Sequence, residues 1–285
     1  MSRHSTRPPF FARVLFPALT LMLVLFASCG EQNEPFVIDR LNRFNPVVSQ
    51  GSQSACWVYA MLSTIETEHI MRGDSVILSA PFVLSWLRSE PAAPPSGRGT
   101  AMTLLWIIRK HGVVPLHSMP DTTCTRPRWA FMLGAEYTPL EFAHSVCAPD
   151  EYVALATDSR RPLGQTFVFD SPDNWTRALV TNVSPDSLLA FTVRAVSGGH
   201  GVCWEGDISE PGFDWKEGIA RTTMFDGSTT DDHCMAVVGL AHDREGGLFL
   251  VMKNSWGTHN KQRGLLFMSY DYFRSKTLCV VGPRP

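Results

Sequence analysis

After Ser54 a run of mixed apolar and polar residues without glycine or proline reaches Gly73. This run predicts a helix over 55–72, with Ser54 as its N-cap and Gly73 as its stop. Two further helical patterns cover 79–89 and 100–112, separated by the Pro-, Ser- and Gly-rich stretch 90–99, which reads as a surface loop inside the domain. Past residue 160 the chain changes to short apolar runs. These predict strands at 166–169, 200–205, 234–241, 248–254, 264–268 and 278–281. Helices followed by strands imply an α+β fold of two lobes, a helical lobe over about 46–135 and an antiparallel β-sheet or barrel over about 160–285.

The N-terminus follows a different pattern. Arg3, Arg7 and Arg13 precede an apolar run over 14–27, too short for a comfortable membrane span. It ends Leu25-Phe26-Ala27-Ser28-Cys29-Gly30, which resembles a bacterial lipoprotein signal. On that reading 1–28 is a signal peptide, Cys29 carries lipid, and 29–45 is a polar tether to the domain at 46–285. Simple secretion and an uncleaved anchor are the other readings. The hydrophobic share of 44% is that of a globular protein, and a net charge of −2 gives no reason to expect nucleic acid or a strongly acidic partner. No internal repeat is present.

The chemistry lies in three separated places. Gln50 stands six positions before Cys56, and Asp232-His233 and Lys253-Asn254-Ser255-Trp256-Gly257 follow far downstream. A thiol, an imidazole and an amide in that order are the parts of a Cys–His–Asn hydrolase. A cysteine attacks an amide carbonyl as thiolate, and its free pKa of about 8.5 leaves it mostly protonated at neutral pH. The first turn of a helix and a nearby imidazolium, from His233, would both lower that value. Asn254 would orient the His233 ring and Trp256 would shield that bond. The Gln50 amide and the Cys56 backbone N–H would face the developing oxyanion. Trp57, Asp232 and Trp256 are placed as lining or supporting the cleft. His200, Cys203, Asp231, Asp232 and His233 fit no tight metal-ligand spacing, and no cofactor is expected.

On these residues the chain resembles the papain-like cysteine peptidases, and within them the bleomycin hydrolase and bacterial aminopeptidase C branch. Papain's own branch carries a disulfide-forming cysteine three positions before the nucleophile, where this chain has Gln53. Further likenesses follow in family order. They are Leu78-Ser79 with Phe82-Val83, His111-Gly112-Val113-Val114-Pro115, Tyr137-Thr138-Pro139-Leu140-Glu141-Phe142 and Pro172-Asp173-Asn174-Trp175. Gly206 to Phe213, Lys253 to Thr258 and Met268 to Phe273 complete the match over about 46–282. The resemblance implies an active site in the cleft between the lobes and aminopeptidase action on short peptides through an acyl-enzyme. It also implies C-terminal residues that block one end of the cleft, here the tail Gly282-Pro283-Arg284-Pro285. The chain departs from the family in lacking most of a helical insertion, in Ser54 and Ala55, and in Cys234, which stands where a small residue is usual.

Seven cysteines in an exported chain invite pairing. Setting aside Cys29 and Cys56 leaves Cys124, Cys147, Cys203, Cys234 and Cys279, an odd number. Cys203 and Cys234 read as buried small hydrophobes, whereas Cys124 and Cys147 flank a turn-rich segment and can pair. The rival function is a catalytically inactive lipoprotein that binds peptides on the same fold.

Overall fold

The computed structural model describes residues 35–148, 150–221 and 233–284; Cys29, the 1–28 signal and Asp232 lie outside the described residues. Helix α1 (Cys56–Arg72) is buried on nearly every side, so it has no clear polar face. Gly73 ends it in the left-handed region at φ 101°, its N–H reaching the carbonyls of His69 and Ile70. The start differs from the expectation: the N-cap position is Ala55 and no side chain caps it, so Ser54 has no capping role. Helices α2 (Ala80–Leu87) and α3 (Ala101–His111) match the predicted segments and are capped by Ser79 and Thr100. Three more helices, α4 (Pro139–Val146), α5 (Pro185–Ser197) and α6 (Tyr270–Lys276), were not anticipated, although each opens on a Thr or Ser cap.

The strands are β1 (Phe36–Leu41), β2 (Ala130–Met132), β3 (Ala135–Tyr137), β4 (Tyr152–Ala156), β5 (Thr166–Val168), β6 (Leu179–Asn182), β7 (Val202–Gly206), β8 (Phe213–Asp214), β9 (Ile219–Ala220), β10 (His233–Asp243), β11 (Leu248–Lys253), β12 (Leu265–Ser269) and β13 (Thr277–Pro283). Apart from the β2–β3 hairpin they form one sheet in the order β5-β6-β4-β13-β7-β10-β11-β12-β9-β8, with β1 added beside β10. Most pairs are antiparallel; β4–β6 and β9–β12 are parallel.

Strand β10 organises the sheet. Its first half, from His233 to Val237, pairs with β7, and its second half, from Gly239 to Asp243, pairs with β1. The exchange of partners sits beside an irregularity between Val237 and Gly239. A Cβ on Gly239 would come within 2.6 Å of the Arg40 carbonyl oxygen, so β1 can approach there only over a glycine.

Period-two alternation divides the sheet residues between two cores. Cys203, Cys234, Cys279 and Val281 face the core they share with α1 and α3. Val202, Trp204, Met235, Val237 and Val280 face the core covered by α5 and α6. The sheet is thus a middle layer. The tether expected over 29–45 needs correction from residue 36 onward. Phe36 stacks on Phe267 at 4.1 Å between ring centroids and meets Phe249 edge-on at 4.9 Å, and this burial makes 36–41 a strand of the domain. Among the described residues no helix is long and apolar enough to cross a membrane.

Candidate active site

Cys56 is the first residue of α1, where backbone N–H groups have no intrahelical acceptor and the helix dipole is positive. His233 is the first residue of β10 and is 3% exposed. Because α1 packs against the sheet, the two residues meet, and they line one cleft with Gln50, Gln53, Ser54, Trp57, Arg98, Gly99, Asp173, Cys234 and Trp256.

Asn254 follows the last residue of β11, which pairs with β10, so strand pairing delivers the amide to the imidazole. The contact is His233 Nε2 to Asn254 Oδ1 at 2.8 Å. An amide oxygen only accepts, so Nε2 carries hydrogen and the other ring nitrogen is left for the Cys56 sulfur. Asn254 Oδ1 also accepts the Ser255 N–H at 2.7 Å, which fixes the amide plane. Its Nδ2 is buried and has no acceptor among the described residues. Trp256 packs over the His233 ring at 4.5 Å between centroids and is itself met edge-on by Trp215 at 5.3 Å. These rings keep water from the imidazole–amide bond.

The Cys56 thiol is held well below its ordinary pKa. The largest cause is a hydrogen bond from the Cys234 thiol; the His233 hydrogen bond and charge act in the same direction, and burial opposes them. Burial pushes the Cys234 thiol up, and the adjacent Cys56 adds to that. A thiolate beside a neutral thiol donor and the His233 ring is therefore the favoured arrangement.

Gln50 is fixed by the far end of β11. Its N–H donates to the Ser255 carbonyl at 2.8 Å, and its side-chain Oε1 accepts from Ser255 Oγ at 2.6 Å. One Nε2 hydrogen goes to the Gln53 carbonyl at 2.6 Å. A primary amide has two such hydrogens, so the second remains for an oxygen in the cleft, next to the Cys56 N–H.

Trp57 is buried beneath the cleft and supports its wall. Its indole N–H lies 3.2 Å from the carbonyls of both Ser54 and Gly97, and a Cβ on Gly99 would touch the ring at 3.0 Å. Arg98 and Asp173 close one side with a 2.6 Å ion pair, and the Trp175 indole donates to the Arg98 carbonyl at 3.1 Å. Asn174 turns the chain here, its side chain bonding Phe169 and Ala178, and Asp173 lines the cleft. Arg98 and the part played by Cys234 were missed, and Asp173 was named only within a family likeness; Cys234, adjacent to His233 in the chain, carried a usable signal.

Among the described residues, 282–284 of the tail do not enter the cleft. Gly282 and Pro283 pair with Val153 and Tyr152 of β4, and Arg284 N donates to the Glu151 carbonyl at 2.6 Å. Cys124 and Cys147 are both free thiols, so they do not pair. Among the described residues no group of His, Cys, Asp and Glu is gathered as a metal ion would require.

No family model matches the chain, and no curated protein matches it. Solved structures do. PepW from Lactobacillus rhamnosis HN001 superposes with a TM-score of 0.67 at 14% identity, over 86% of this chain and 81% of that one. Digestive procathepsin L 3 of the Tenebrio molitor larval midgut gives 0.56 at 18%, over 90% and 72%. The bromelain protease of Ananas comosus, solved with the E64 inhibitor, gives 0.52 at 16%, over 84% and 93%. The fold is papain-like. In this papain-like frame the helical layer supplies Cys56 and the sheet supplies His233 and Asn254, with Gln50 on the loop that precedes α1.

Proposed function

We propose that this protein is a cysteine peptidase that hydrolyses peptide bonds through a thioester acyl-enzyme. The observation that carries the reading is the Asn254–His233–Cys56 relay, one ring nitrogen bonded to the amide and the other facing a thiol of lowered pKa. Cys56 Sγ adds to the scissile carbonyl, and the oxyanion meets the Cys56 N–H and the second hydrogen of Gln50 Nε2. His233 gives its proton to the leaving amine and then takes one from the water that attacks the thioester. Asn254 turns the ring and holds its tautomer. Cys56→Ala is expected to abolish hydrolysis of a fluorogenic peptide panel with the melting curve preserved. An epoxysuccinyl thiol-protease inhibitor is expected to label Cys56 in the wild type. Failure of both, with peptides still bound, would favour the rival reading of a peptide-binding protein without turnover.

Aminopeptidase action on short peptides is the finer reading implied by the resemblance. The position of the tail on β4 favours a second one, an endopeptidase with an open groove. Hydrolysis of matched free and N-acetylated peptides separates them. A place at the bacterial cell envelope rests on the basic, apolar and small-residue succession that ends at Cys29. Cys29→Ser should then release the protein from membranes, and a wild type found soluble with an unmodified N-terminus would overturn that location.

A further inference from the structure

The cleft holds a second thiol, which takes no part in bond making or breaking during hydrolysis. Cys234 follows His233 on β10, faces the α1 side of the sheet, and lines the same cleft as Cys56. Both line that cleft, and the Cys234 thiol and backbone N–H act directly on the Cys56 sulfur and lower its pKa, so the two thiols are neighbours. Neither is engaged in a disulfide. Among the described residues the remaining cysteines do not share this arrangement. Cys203 and Cys279 are fully buried in the core, and Cys124 and Cys147 do not line the cleft.

We propose that Cys56 and Cys234 form a reversible disulfide under a hydroperoxide, a redox lock that takes the nucleophile out of use and protects it from over-oxidation. The inference rests on the thiolate reading of Cys56 but not on turnover of any peptide. In the first step the Cys56 thiolate attacks the terminal oxygen of the hydroperoxide. An S–O bond forms, the O–O bond breaks, two electrons pass from sulfur to the peroxide, and the departing alkoxide or hydroxide takes up a proton. In the second step Cys234 sulfur attacks the sulfenic sulfur. The S–S bond forms, the S–O bond breaks, and the leaving hydroxide takes the Cys234 proton and departs as water.

The pair has the division of labour this chemistry requires. Cys56 is the ionised partner and opens to the cleft, where a small peroxide can reach it. Cys234 is held as a neutral thiol by burial, so it is a poor first target and a well-placed second one. Its place beside Cys56 makes capture intramolecular, in competition with attack by a second peroxide.

The test is peptide mapping of the full chain after graded hydrogen peroxide, without reductant. The wild type should lose two hydrogens, give a cross-linked peptide joining Cys56 to Cys234, and regain its thiols with dithiothreitol. Cys234→Ala should instead gain two or three oxygens at Cys56, and dithiothreitol should not remove them. In Cys56→Ala, Cys234 should stay a thiol, because the first target is gone. A wild type that accumulates sulfinic acid at Cys56 would overturn the proposal, as would a cross-link from Cys56 to Cys203 or Cys279. A protein that hydrolyses peptides but shows no Cys56–Cys234 link sinks the lock and leaves the peptidase reading intact. One that links but hydrolyses nothing does the reverse.

Discussion

The residues of the cleft differ in what their loss should do. His233 handles the proton, so His233→Ala should lower kcat by about 10²–10⁴-fold. Asn254 acts through the ring, which can still find the thiol part of the time without it. Asn254→Ala should therefore lose less than His233→Ala, with both variants melting as the wild type does. Equal losses would contradict the positioning role. Cys234 has a separate signature. Its hydrogen bond is the largest influence holding the Cys56 pKa down, so Cys234→Ala should raise that pKa. A depressed pKa keeps the thiolate present further to the acid side, and the thiolate is lost as pH falls through it. The acid limb of iodoacetamide alkylation at Cys56 should thus move to higher pH in the variant. An unmoved limb would mean that His233 alone sets the thiolate. At this scale the sequence was informative where a residue type is uncommon in its setting. Gln50, Cys56, His233, Asn254 and Trp256 stood out by kind and order, and the structure brings them together. Arg98 was invisible and Asp173 was named only within a family likeness, because their pairing joins loops 75 residues apart and neither loop has a periodic pattern.

Among the elements, those with strong local signals were readable. The helices at 56, 80 and 101 and the apolar strands of the central sheet all fall near their predicted ranges. Errors arose where tertiary contact decides the outcome. The residues Phe36–Leu41 are mostly exposed and look like a tether, yet Phe36 inserts between Phe249 and Phe267 and the backbone pairs with β10. Phe36→Ala should therefore cost about 3 kcal/mol, the usual range for emptying such a site, and lower Tm. A melting temperature unchanged by that variant would return 36–41 to the status of a tether. Helices α4, α5 and α6 were lost among short segments whose caps were the only clear marks. Buried polar groups also tie elements together. Glu66 on α1 accepts from the Leu78 N–H at 2.7 Å and from Asn45 Nδ2 at 2.8 Å. Burial raises its pKa above the ordinary carboxylate range. Glu66→Ala would strand the Leu78 N–H, a penalty of about 1–3 kcal/mol by thermal or denaturant melts.

For the whole molecule, the order of layers explains both the site and its openness. The sheet lies between α1 with α3 on one face and α5 with α6 on the other, and the cleft opens at the end where α1 and β10 begin. The C-terminal strand finishes on β4, with Arg284 Nε donating to the Asp150 carbonyl at 3.0 Å. Removing residues 283–285 should accordingly leave substrate preference unchanged, and free and N-acetylated peptides should be cut at similar rates. A strong bias toward free amines that the truncation abolishes would show that the tail governs access after all.

Lys253, the residue before Asn254, is buried and donates to Ser63 Oγ on α1 at 2.9 Å, beside the charge of Glu66. It links β11 to α1 one residue before Asn254, and α1, α3 and the sheet also share one apolar core. The lobes are then a feature of the surface alone. Heat or denaturant has no seam to open first, so the thiol's reactivity and the folded structure should disappear together in a single cooperative transition.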